Sequence, residues 1–133
     1  MIFETDEALK KKLKAISVFV NMFNGSFKKL DLFDVDYKIL DKDKNLIAYS
    51  EVGIISKTIS NAYPLHIQAN KVIKLADKRI PPVIVWHCND GIIYGKANNL
   101  IGTIKWGTIP PQVNDELIIY YDKQIELKYI KFT

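Results

Sequence analysis

The sequence predicts an α/β (α+β) domain, a central mixed β-sheet flanked by at least two helices. Three observations carry that prediction. Apolar residues recur at helical spacing near the N-terminus and again in the middle of the chain. Alternating or continuous apolar runs lie between and after them, and the resulting order is helix, hairpin, helix, hairpin. With 133 residues and 48% hydrophobic content, residues 1–133 have the size of one domain with a real core.

In the first helix, Thr5 is a cap, and Asp6 and Glu7 place acid against the positive end of the helix dipole. Leu9, Leu13, Ile16, Val20 and Phe23 form its buried stripe, and Asn24-Gly25 ends it. Lys10, Lys11, Lys12 and Lys14 fall mainly off that stripe, either as a solvated face or as a phosphate-contacting patch. The segment Phe33 to Gly53 reads as a hairpin. Phe33, Val35, Tyr37 and Ile39 point one way, and Asp34, Asp36 and Lys38 the other. A loop at residues 42–45, flanked by Asp41 and Leu46, connects its strands, and Ile54-Ile55 can prolong the second.

Residues 56–61 read as a loop. Tyr63-Pro64 forces extended chain before a second helix over about Ile67 to Arg79, with Ile67, Val72, Leu75 and Ala76 as its buried side. Pro81-Pro82 introduces VIVWHC, a continuous run typical of a strand buried on both faces. Asn89-Asp90-Gly91 turns it into IIYGKA. Gly102, Gly107 and Pro110-Pro111 punctuate short pieces around Trp106. The last segment, LIIYYDKQIELKYIKF, suggests a second hairpin turning near Asp122-Lys123.

The formal net charge is +4, and Arg79 is the only arginine among 19 basic residues. The balance is compatible with a polyanion such as DNA. The scarcity of arginine argues against base-specific readout and for recognition of backbone or shape. Cys88, the single cysteine, excludes an internal disulfide and a cysteine metal cluster and fits a reducing compartment. Acidic residues precede the N-terminal lysines, and the apolar runs are too short to span a bilayer, so a cytoplasmic protein without a membrane partner is expected.

The hairpin carries the chemistry. If 41 pairs with 46, Asp36 lies opposite Glu51, Lys38 opposite Tyr49 and Asp34 opposite Gly53. Like charges so opposed are destabilising, and a divalent cation such as Mg²⁺ or Mn²⁺ offsets them with oxygen ligation. The other reading is a register off by one, with a carboxylate in solvent at a sheet edge. His87, inside VIVWHC, reads as a core histidine more than a ligand, and His66 as a substrate contact or a plain helix-entry residue. A nucleophilic triad, a glycine-rich phosphate cradle and a zinc site all lack the residues they need.

The order of these features resembles the PD-(D/E)XK nuclease superfamily, in particular its small phage-type and Holliday-junction-resolvase-like members. The match runs over residues 3 to 106: a helix with an early acidic residue, Glu4 or Glu7; Asp36 at DYKI; Glu51 in LIAYSEV; YPLHIQANKVIKL, leading into a helix with Lys71; and IPPVIVWHCNDGIIYGKA. The resemblance implies a restriction-endonuclease-like fold and a Mg²⁺-dependent endodeoxyribonuclease, in a family where homodimers are common; the bias toward Lys, Ile and Asn and the small size are compatible with a phage origin. Asp36 and Glu51 would be its metal carboxylates and the Val52 carbonyl a further ligand. The family's strand ends Glu-x-Lys, whereas this one ends Glu51-Val52-Gly53. Lys71 is the first candidate for the missing lysine, then Lys38 and Lys57, and the alternative is a catalytically impaired DNA-binding or protein-interaction module.

Overall fold

Two sheets and two helices build the chain in a computed structural model that describes residues 5–31, 35–109 and 114–133. Glu4, Phe33, Asp34 and Pro110-Pro111 lie outside the described residues. Helix α1 runs Asp6–Asn21, with the Thr5 hydroxyl accepting the Ala8 N–H at 3.0 Å. Asn24 takes a left-handed φ of 56° and the Gly25 N–H returns to the Val20 carbonyl at 2.9 Å, which closes the helix end. The buried side of α1 is Lys12, Ala15, Ile16, Phe19 and Val20. Of the predicted stripe, Ile16 and Val20 are buried and Leu13 and Phe23 pack against the same core, while the buried side widens to take in Lys12.

After α1 come β1 (Ser26–Lys29), β2 (Tyr37–Leu40) and β3 (Leu46–Ile54), an antiparallel meander. Then follow β4 (Leu65–Gln68), helix α2 (Ala69–Ala76), β5 (Pro82–Cys88), β6 (Gly91–Lys96), β7 (Thr103–Gly107), β8 (Glu116–Tyr121) and β9 (Lys128–Lys131). The large sheet has the order β1-β2-β3-β5-β6-β9, with β3 and β5 parallel and its other neighbours antiparallel. A smaller antiparallel sheet has the order β4-β8-β7. The mixed α+β class and the flanking helices are as the sequence predicts.

Two cores follow from the alternation of the large sheet. Tyr37, Ile39, Ala48, Val52, Val83, Val85 and Ile92 pack with α1 on one face. On the other, Ile84, Trp86, Cys88 and Ile93 pack with Leu75 of α2 and with Leu65, Ile67 and Tyr121 of the small sheet. Strand β5 feeds both, which is why VIVWHC has no polar face.

Two elements differ from expectation. The second helix begins at Ala69 and ends at Ala76, because Leu65–Gln68 pairs with β8, from Leu65↔Tyr121 to Gln68↔Ile118. Strands β8 and β9 do not form a hairpin. β8 joins β4 and β7, while β9 crosses to β6, with Ile92↔Ile130 and Ile93↔Tyr129.

Candidate active site

The hairpin register is the first determinant of the site. Tyr37 pairs with Ser50, Lys38 with Tyr49 and Ile39 with Ala48, and the register then shifts by one so that Leu40 pairs with Leu46. The loop explains the shift. The Asp41 carboxylate accepts the N–H groups of Asp43 and Asn45, each at 2.9 Å, while Asp41 N–H donates to the Asn45 carbonyl. Asp41 thus faces Asn45 rather than Leu46, and a bulge restores the predicted register beyond it. Continued by one position, that register sets Asp36 against Glu51.

Asp36 does not continue the strand. It occupies a bend immediately before β2, and the alternation breaks there: Tyr37 and Ile39 belong to the α1 core, but Val35 belongs to the other. The bend leaves the Asp36 carboxylate at the end of β2, where Oδ2 accepts the Val52 N–H at 3.0 Å. The N–H and C=O of a strand residue share one edge, so the Val52 carbonyl opens on the Asp36 side. Its side chain is buried against α1.

Lysines reach this carboxylate from both faces of the sheet. Lys12 Nζ on α1 is 3.6 Å from Asp36 Oδ2. From α2, Lys71 Nζ lies 4.0 Å from Asp36 Oδ2 and 3.9 Å from Glu51 Oε2. The sequence-predicted residues Asp36, Glu51 and Lys71 are therefore brought together. Lys38 and Lys57 form no ion pair with either carboxylate. Glu7 pairs with Lys11 at 3.3 Å on the surface of α1. Lys12 was missed, although it sits three residues from both Leu9 and Ala15 and four from Ile16, inside the helical repeat.

Burial sets the electrostatics. Glu51 is 1% exposed, and burial, then the adjacent charge of Asp36 and a hydrogen bond shared with it, push its carboxyl up to about 9. Burial also pushes Asp36 upward, but Lys71, Lys12 and hydrogen bonds from Glu51 and the Val52 N–H outweigh it, and its carboxyl falls below the usual value. Burial and mutual repulsion thus favour the protonated form of Glu51 and the ionised form of Asp36. Lys71 is lowered by burial and by Lys12, against the pull of Asp36 and Glu51.

Gly53 leaves no room for a side chain. A Cβ there would lie 2.8 Å from Trp86 Cδ1 and 3.1 Å from its Nε1. The indole occupies that space and donates from Nε1 to the His66 carbonyl at 2.9 Å. Trp86 also meets Tyr121 edge to face at 5.6 Å, so one ring ties the two sheets together.

The remaining reactive types stand apart from the acid pair. His87 is buried in β5 with its ring 5.3 Å from that of Phe132, and burial, then Lys11 and Lys14, lower its pKa. His66 lies in β4 opposite Tyr120, lowered by burial and by Lys57. The Cys88 thiol is pushed up to about 12 by burial and by Asp90, which makes it a poor nucleophile. Among the described residues, no three His, Cys, Asp or Glu side chains gather as a metal-binding group.

Comparison with known protein families, curated proteins and solved structures finds no match to this chain. No described helix is long and apolar enough to cross a membrane.

Proposed function

We propose that the chain is a metal-dependent hydrolase of DNA phosphodiester bonds, built on a restriction-endonuclease-like core. The observation that carries this reading is Lys71, which reaches Asp36 and Glu51 at 4.0 and 3.9 Å from the helix where the family resemblance expects a substitute lysine. The order α1, antiparallel meander, α2 and then a strand parallel to the third also agrees with it.

The donors suit a hard cation. Glu51 Oε2 is buried without a hydrogen-bond partner, and Asp36, Glu51 and the Val52 carbonyl form an all-oxygen set. Such an ion supplies charge stabilisation at the phosphoryl group and lowers the pKa of a water. Glu51 must give up its proton to accept it, whereas Asp36 is already ionised. Lys71 then donates to a phosphoryl oxygen and neutralises developing charge, while Lys12 holds Asp36 from the opposite face.

A second reading, a nucleic-acid-binding module without cleavage, is favoured by the burial of Glu51 and by Trp86 in the place of the motif lysine. Cleavage of plasmid and branched DNA with Mg²⁺ or Mn²⁺ decides. We expect cleavage that is lost in Asp36→Ala and in Glu51→Ala. Lys71→Ala should lower turnover by about 100-fold, as loss of one preorganised donor does, with metal binding kept. Activity that survives both acid substitutions contradicts the site. Salt-sensitive DNA binding with no cleavage leaves the second reading.

A further inference from the structure

We infer that the open face of the β1–β2 ribbon is a phosphate-binding groove that holds the backbone of a nucleic-acid strand beside the Asp36–Glu51 pair. The register places Lys28 directly opposite Lys38. Directly opposed residues have Cβ atoms about 4.5–5.5 Å apart, and like charges there are destabilising. A third lysine closes the cluster: Lys44, at a left-handed φ of 68° in the 41–45 loop, donates from Nζ to Ser26 Oγ at 3.4 Å. All three line a cavity of about 510 Å³, together with Ser26, Leu40 and Leu46.

Among the described residues, the neighbouring carboxylates are engaged elsewhere. The Asp41 carboxylate is committed to its own loop, accepting from Asp43, Asn45 N–H and Asn45 Nδ2. Asp36 is committed to Val52, Lys12 and Lys71. Among the described residues no carboxylate pairs with Lys28, Lys38 or Lys44. Ammonium groups are point charges with three donors, suited to phosphate oxygens and indifferent to base identity.

Position gives the groove its meaning. Helix α2 packs on β3, β4 and β8, and Lys28 and Lys44 are exposed. Lys38 and Asp36 are two residues apart in the chain. A strand gripped by the lysines therefore runs toward the acid pair. That direction rests on the hydrolase reading, but the groove does not.

The test is anisotropy of a labelled oligothymidylate with the full chain, without metal, over a range of salt. The triple variant Lys28→Ala/Lys38→Ala/Lys44→Ala is compared with a control that removes the same charge elsewhere, at the exposed Lys123, Lys128 and Lys131 (Lys123→Ala/Lys128→Ala/Lys131→Ala), and circular dichroism melting establishes that both fold. We expect the groove variant to lose at least about tenfold in affinity at low salt, with the slope of log K against log salt smaller by about 2, from roughly 0.7 per phosphate over three contacts. The control should change much less. Equal losses in both variants, or none in either, overturn the groove. So does complete displacement by millimolar inorganic phosphate at constant ionic strength, which would mark a free-phosphate site. The cleavage assay separates the two claims. Groove-dependent binding with no wild-type cleavage removes the hydrolase reading alone, and cleavage indifferent to the groove variant removes the groove alone.

Discussion

A side chain at position 53 would have to displace an indole. Gly53→Ala brings a Cβ to 2.8 Å from Trp86 Cδ1, and overpacking of this kind costs about 1–3 kcal/mol. Urea denaturation should show that loss, and Gly53→Lys should restore no catalytic lysine. Glu51 offers a second residue-scale test, through pH. Its carboxyl rises from 4.5 to about 9 on folding, so between those values the folded chain holds a proton that the unfolded chain has lost. Stability from this group is full below about pH 4.5 and falls as pH rises toward 9. Asp36 acts in the opposite sense: its lowered pKa gives stability present above 3.8 and lost as pH falls through its folded value. Denaturation midpoints between pH 5 and 9 should fall with pH in the wild type and flatten in Glu51→Gln. A third substitution, Lys12→Met, withdraws an ammonium 3.6 Å from Asp36. It should destabilise by about 1–3 kcal/mol, the usual range when a buried group loses a partner, with more for charged ones.

The elements were legible where the sequence itself decides them. Thr5 and Asn24 bracket α1, Asn89-Asp90-Gly91 turns β5 into β6, and VIVWHC requires cover on two faces. The acid pair was legible because hairpin register is arithmetic, and it survived a wrong anchor at Asp41 because the bulge absorbed the difference. What failed depends on distant pairing. Leu65-His66-Ile67-Gln68 has a two-residue alternation of buried and half-buried positions, but its partner β8 lies some fifty residues away in sequence. Helical spacing from Ile67 looked equally good. Strands β8 and β9 are short and close in sequence, which suggests a hairpin, yet each finds its partner in a different sheet. The Trp86 indole over Gly53 was invisible for the same reason, since it requires knowing that β5 runs parallel to β3. Trp86→Phe tests the link between sheets: it removes the 2.9 Å bond to the His66 carbonyl and should lower stability by about 1–3 kcal/mol without altering the Asp36–Glu51 pair.

At the scale of the molecule, the large sheet is a partition with a charge cluster at one gap. One helix covers each face, and each sends a lysine to the same aspartate. The carboxyl pair is thereby compensated by two lysines, and burial favours the protonated form of Glu51. On the proposed hydrolase reading, a cation enters only as Glu51 gives up a proton and Lys71 yields space, so binding and proton release would be coupled. Calorimetric titration of Mn²⁺ into the protein at pH 7, repeated in buffers of different ionisation enthalpy, counts the protons directly. The account predicts one ion bound with about one proton released, and loss of that binding in Asp36→Asn. In Glu51→Gln the proton release should vanish and the affinity should fall. No binding at millimolar Mn²⁺, or binding unchanged by both substitutions, would contradict it.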